Sequence, residues 1–234
     1  MTTFYNKKLL SFRFEKNSKY NMEISNIFDS ILILDFGSQY SHLIARRIRE
    51  LGVYCELLPC TVKLADVPFL PKGIILSGGP SSVYDTDAPH ADKNIWSANI
   101  PILGICYGLQ EMVWAHDGKI QACEHREYGQ ANLEFILKDN SNVNCLLKDL
   151  TNPKVWMSHG DQVSLLPKCF KKIASTKTAP FAAISHVDKN FFGIQFHPEV
   201  THSVQGKQIL SNFVLSICKC EMNWKMENFI DKVC

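Results

Sequence analysis

No apolar run in these 234 residues approaches the roughly 18 needed to span a bilayer. Met1 to Ser30 scatters Lys, Asn and aromatics without an apolar centre, which argues against a secretory signal. Charge of one sign is not in excess. The net charge is +2, and nothing in that balance points to nucleic acid, which asks for a clustered basic face. Nine cysteines include no C-x-x-C pair, and the close pair Cys218-Lys219-Cys220 has no second pair to complete a zinc site. An odd count at irregular spacing suits reduced thiols in the cytosol and leaves room for one cysteine with a special task. Repeats and low-complexity segments are also missing. What is present is 46% hydrophobic content, enough for one sizeable core.

Residues 1–29 lack clean periodicity and read as a flexible extension. From Ile31 the pattern changes. Ile31-Leu32-Ile33-Leu34 is a buried strand, and Leu43, Ile44, Arg47, Ile48 and Leu51 follow at helical spacing, with Gly52 as stop. Val53–Leu58, Gly73–Leu76 and Pro101–Ile105 read as further strands, with helical stretches at Ala91–Ala98 and Leu109–Ala115. Strands alternating with helices predict an α/β fold, an open parallel sheet with helices on both faces. Ligands bind such sheets outside the carboxyl ends of the strands. The loops Asp35–Ser38, Ser77–Pro80 and Cys106–Gly108 all fall there. The second half is richer in strands: Ala131–Leu137, Val155–Ser158, Ile173–Thr176, Phe181–His186 and Phe192–Phe196. A last helix runs over Val204–Cys218.

Gly104-Ile105-Cys106-Tyr107-Gly108 joins an apolar strand to a helix, the thiol form of a nucleophile elbow. The turn is tight, so the flanking residues must be small. The helix N-terminus beneath favours a thiolate. A cysteine nucleophile needs a base that later acts as acid to the leaving group. His197, in His197-Pro198-Glu199 after an apolar strand, has the chemistry for it, and Glu199 is placed to hold the imidazole. Ser77-Gly78-Gly79-Pro80-Ser81-Ser82 can be read in two ways. As a phosphate loop it would resemble the S-G-G-x-D-S loop of ATP pyrophosphatases, but Ser81 stands where aspartate is needed and Pro80 removes an N–H. As an oxyanion hole, Gly79 would offer its N–H together with that of Tyr107.

These residues resemble the class I, triad-type glutamine amidotransferases over about residues 31–230. The carrying segments are ILILDFGSQYSHLIARRIRELGVYCEL (31–57), GIILSGGPSSVYD (73–85), PILGICYGLQ (101–110), EHREYG (124–129), VWMSHGDQV (155–163) and GIQFHPEVTHSVQG (193–206). Within that family, DFGSQY, WMSHGD and HPEVTH point to the branch that serves GMP synthetase. The resemblance implies a flavodoxin-like fold, a Cys106–His197–Glu199 triad, and an oxyanion hole of Gly79 and Tyr107. It also implies a glutamine site of Gly78, Gln110, Ser158, His159 and Gly160. No metal or cofactor is expected in this domain, which would span 30–218. Ammonia would pass to an ATP pyrophosphatase domain or subunit that aminates XMP, where ATP and Mg would bind. Residues 219–234 would begin the connector to it. Glu124–Gly129 would lie near the mouth, with Arg126 and Glu127 open to reading as a solvated pair. A stand-alone glutamine or γ-glutamyl hydrolase, a component of another class I synthetase, and a non-catalytic homologue stay as alternatives.

Overall fold

The computed structural model describes residues 28–136 and 142–225. Most of the 1–29 extension, Leu137 and residues 226–234 lie outside these.

Strands β1 (Ser30–Asp35), β2 (Tyr54–Pro59), β3 (Gly73–Leu76) and β4 (Ile102–Ile105) are parallel, in the order β2-β1-β3-β4. Strand β10 (Phe191–Ile194) pairs parallel to β4. Beyond it the sheet turns antiparallel through β9 (Ala183–His186), β8 (Phe170–Ser175) and the short β6 (Glu134–Phe135). The eight-stranded sheet is therefore parallel where the site forms and antiparallel at its far edge.

Each apolar strand serves two cores because successive side chains point to opposite faces. Ile31, Ile33, Ile75, Leu103 and Ile105 enter one cluster, and Leu32, Leu34, Ile74, Leu76 and Ile102 the other. Helix α1 (Ser41–Glu50) seals the first face with Ile44, Ala45 and Ile48. It stops in a Schellman arrangement at Gly52 (φ +75°), where Gly52 N donates to Arg49 O and Val53 N to Ile48 O. Helix α3 (Gly206–Ser211) covers the same face and widens into a π turn over Asn212–Ile217. Helix α2 (Tyr107–Trp114) covers the opposite face with Leu109, Met112 and Val113.

Several expectations needed correction. Ala91–Ala98 forms only a 3-10 turn, Lys93–Ser97, capped by Asp92. Pro89 before it, and Asn99 (φ +55°) and Pro101 after it, leave no room for an α-helix. The Ala131–Leu137 strand is two strands that change partner at Leu133. Strand β5 (Lys119–Asn132) pairs with β7 (Lys154–Leu165) in a separate antiparallel ribbon, whereas β6 joins the main sheet. Most of β5 escapes a sequence reading because its charged and polar residues show no clean alternation. Strand β10 stops at Ile194, three residues before His197.

Candidate active site

The fully buried strand β4 delivers Cys106 to the carboxyl edge of the sheet. Its backbone is at φ +53°, ψ −103°, outside the wells open to an ordinary residue. Close packing maintains this strain. A Cβ on Gly104 would come 2.4 Å from Gly108 O, and one on Gly108 would come 2.4 Å from Leu76 O. Cys106 N donates to Ile194 O (2.8 Å), which ties the elbow to β10, and Gly108 N donates to Ser77 O (3.1 Å). The sulfur lies 3.6 Å from Ser158 O and 3.7 Å from the Gln195 amide nitrogen.

His197 comes from the loop after β10, and its ring lines the same cavity as Cys106, both lying against Gly78. On its other side Nδ1 is 2.7 Å from Glu199 Oε1. The main chain here is clamped. His197 N donates to Trp156 O (3.0 Å), while Ser203 Oγ donates to His197 O (2.6 Å) and accepts from Trp156 N (3.0 Å). From α1, Arg47 Nε donates to Glu199 O at 3.1 Å and its Nη1 pairs with Glu50. Burial works against a charge on His197. The hydrogen bonds to Cys106 and Glu199, with the negative charges they bring, outweigh it and raise the His197 pKa well above the ordinary value. Glu199 Oε2 is buried with no partner among the described residues, so the imidazole is what offsets this carboxylate's charge.

Gly79 lines the same cavity as Cys106, and Tyr107 follows it in the chain. Among the described residues neither backbone N–H finds an acceptor, as befits the first turn of α2 in the case of Tyr107. Gly79 has to be glycine, since a Cβ would lie 2.7 Å from Phe36 O. Gly78 packs beside the His197 ring, its notional Cβ 3.2 Å from Cε1.

A cavity of about 600 Å³ opens above the sulfur, with Gln110, Ser158, His159 and Gly160 on its wall. Gln110 Nε2 donates to Asp161 O at 3.0 Å, which fixes the amide and orients its oxygen. The ring of His159 is buried. Its Nε2 pairs with Glu127 (3.0 Å) and its Nδ1 contacts Asp161 O (3.1 Å), so both nitrogens are used inside the protein. Glu127 also accepts from the Thr178 hydroxyl, and is an interior tie rather than half of a surface pair with Arg126. Arg126 is exposed and lies across Gly160 at the cavity mouth. Asp161 takes hydroxyl hydrogens from Ser82 and, at 2.9 Å, from Tyr84.

Reading the sequence assigned no part in the site to Gln195, Ser203, Arg47 or Asp161. All four lie within the segments that carry the resemblance, Arg47 having been read only as part of a helical pattern, and position there was the available signal. Among the described residues no group of three or more His, Cys, Asp or Glu is placed to hold a metal ion, and no helix is long and apolar enough to cross a membrane.

Comparison with known proteins bears on the family and the fold. The family model described as glutamine amidotransferase class-I matches residues 32–217. A GMP synthase [glutamine-hydrolyzing] of Kluyveromyces lactis is 56% identical over 211 residues, covering 90% of this chain and 39% of the relative. One from Schizosaccharomyces pombe is 50% identical over 223 residues, covering 93% and 41%. The chain thus spans about two fifths of the length of the relatives it matches. Among solved structures, a GMP synthase subunit protein from Thermoplasma acidophilum, so described provisionally, is similar, with a TM-score of 0.71 and 28% identity over 88% of this chain and 98% of that one. A glutamine amidotransferase from Thermotoga maritima shares the fold, with a TM-score of 0.58 and 16% identity over 88% of this chain and 92% of that one.

Proposed function

This chain belongs to the class-I glutamine amidotransferase family, and we propose that it hydrolyses L-glutamine to glutamate and ammonia through Cys106, His197 and Glu199. The observation that carries this is the meeting of the Cys106 sulfur, at a strained elbow, with the His197 imidazole and its Glu199 carboxylate at one polar cavity.

Glutamine binds with its amide carbon over the sulfur, its amino-acid end held among Gln110, Ser158, Gly160 and the wall braced by His159. Sulfur attacks, the S–C bond forms, and the carbonyl electron pair moves to oxygen, which faces the Gly79 and Tyr107 amides. Donors of that kind are worth about 3–4 kcal/mol each in related chemistry. The C–N bond breaks as His197 gives its proton to the departing nitrogen. A γ-glutamyl thioester remains. Water attacks it, His197 takes the proton, and the C–S bond returns its electrons to sulfur. Glu199 keeps one imidazole orientation and offsets its charge throughout.

We further propose that the ammonia feeds GMP formation. The names of the relatives support this, as does their greater length. A synthetase domain or subunit would take the ammonia onto XMP, with ATP and Mg bound on that partner. Residues 30–218 would form the amidotransferase domain and 219–234 begin the connector, acting in the cytosol. Among these residues, Trp224 packs on Phe28 and Tyr54, and its backbone N–H donates to Gly52 O after α1. The test is a coupled assay with the synthetase partner. Cys106→Ala should abolish amination of XMP driven by glutamine and leave amination driven by ammonium intact. Loss of both activities would contradict a purely ammonia-supplying role.

A further inference from the structure

Attack and release both require the sulfur to carry negative charge, and a second N–H donor besides the His197 ring reaches it. Gln195 is 1% exposed, with Nε2 3.7 Å from Cys106 Sγ. The geometry is fixed from two sides. Gln195 N donates to Ala182 O at 2.9 Å, and the preceding carbonyl, Ile194 O, accepts the Cys106 N–H at 2.8 Å. The amide side chain therefore leaves the backbone at the point where β10 holds the elbow.

The partners of the sulfur divide by protonation state. A thiol can donate to Ser158 O, 3.6 Å away. A thiolate can only accept, and the Ser158 carbonyl then offers it nothing. The groups suited to a thiolate are the His197 ring and the Gln195 amide. We propose that Gln195 is a further catalytic residue, a neutral donor that stabilises the Cys106 thiolate before attack and again when the thioester breaks. No proton leaves the amide in either step, so the atom and electron balance of the hydrolysis is unchanged. This role rests on the glutamine-hydrolysing reading. Neutrality matters here, because His197 must give its proton to the leaving nitrogen and cannot remain a full counter-ion, whereas Gln195 is unchanged throughout. The other charged groups near the sulfur are Glu199 behind His197 and, across β7, His159 with Glu127 and Asp161.

The test is alkylation of Cys106 by iodoacetamide across pH, followed by mass spectrometry, which reads the thiolate without glutamine turnover. Gln195→Met keeps the length but cannot donate. Its alkylation midpoint should rise by about one pH unit, the size of a hydrogen bond to a charged group. Its kcat should fall about tenfold with KM little changed. Gln195→Glu, an isostere that adds charge, should move the midpoint further. In the wild-type chain the Gln195 side-chain amide resonance should titrate with the same midpoint and stop doing so in Cys106→Ala, which keeps the test open if the variants fold poorly. An unchanged midpoint in folded Gln195→Met, or an amide resonance blind to the sulfur, overturns the proposal. Failure of the wild-type chain to hydrolyse glutamine, with the midpoint shift still seen in Gln195→Met, would count against the glutaminase reading and leave the donor role standing.

Discussion

The parallel edge of the sheet and the β5–β7 ribbon build opposite walls of one cavity by different means. On the parallel edge the backbone does the positioning. Gly79, Gly104 and Gly108 sit where a Cβ would strike a main-chain oxygen, and main-chain bonds tie the elbow to β10 and to Ser77. On the ribbon, side chains do the positioning. Glu127 ties His159 to Thr178, the Asp161 carboxylate collects Ser82 and Tyr84, and the Gln110 side chain is held on the Asp161 main-chain oxygen. The ribbon is irregular there, with its register shifting between Ala122 and Glu127. The difference suggests a division of labour in which the rigid edge does the chemistry and the side-chain wall recognises the substrate.

The comparison can be broken by variants on either side. The largest effect should come from Cys106→Ala and His197→Ala, each lowering glutamate release by about a thousandfold or more. Glu199→Gln should cost less than His197→Ala, about a hundredfold, because the imidazole keeps its place but loses its counter-charge. Equal losses in steady-state assays would mean that Glu199 does more than orient. Gly104→Ala should destabilise the fold by about 3 kcal/mol, since the three atoms its Cβ would strike are all main chain and cannot swing away. Thermal melting would show it, and an unchanged Tm would refute backbone control of this wall. Glu127→Gln should raise KM for glutamine about tenfold with kcat nearly unchanged. A fall in kcat alone would erase the proposed division.

The smallest expected effect concerns pH. Burial, then the nearby His116 and Lys189, lower the pKa of His186 below 6.5, and its Nδ1 accepts the Asp188 and Lys189 N–H groups. A pKa depressed on folding means the folded chain binds fewer protons. The contribution is therefore present above 6.5 and is lost as pH falls through the lowered value. The wild type should lose a few degrees of Tm in mild acid, by about the amount typical of small changes in stability, and His186→Gln should flatten that slope. An identical slope in the variant would mean other groups govern it.

The same contrast explains how much could be read from the sequence. The elbow, the strand edges and the His-Pro-Glu turn were legible because glycine spacing and apolar runs are backbone constraints, and these leave local patterns. The strands β1 to β4 and β10 were found to within a residue or two at most ends for that reason. The ribbon was not, because β5 is charged and bulged and its order comes from partners distant in sequence, such as Glu127 with His159 and Thr178. Helix 91–98 failed because its local pattern ignored Pro89 and Pro101. Gln195 sits inside a recognisable motif without a legible role, since nothing in a one-dimensional pattern says that its amide turns toward a sulfur 89 residues earlier.

The most direct test of a Cys106-centred hydrolysis is to trap the covalent intermediate. Isotopically labelled glutamine, rapid acid quench and peptide mass spectrometry should find a γ-glutamyl label on the Cys106 peptide and no label in Cys106→Ala. Glutamate released with no label on that peptide, or released equally well by Cys106→Ala, would contradict the mechanism.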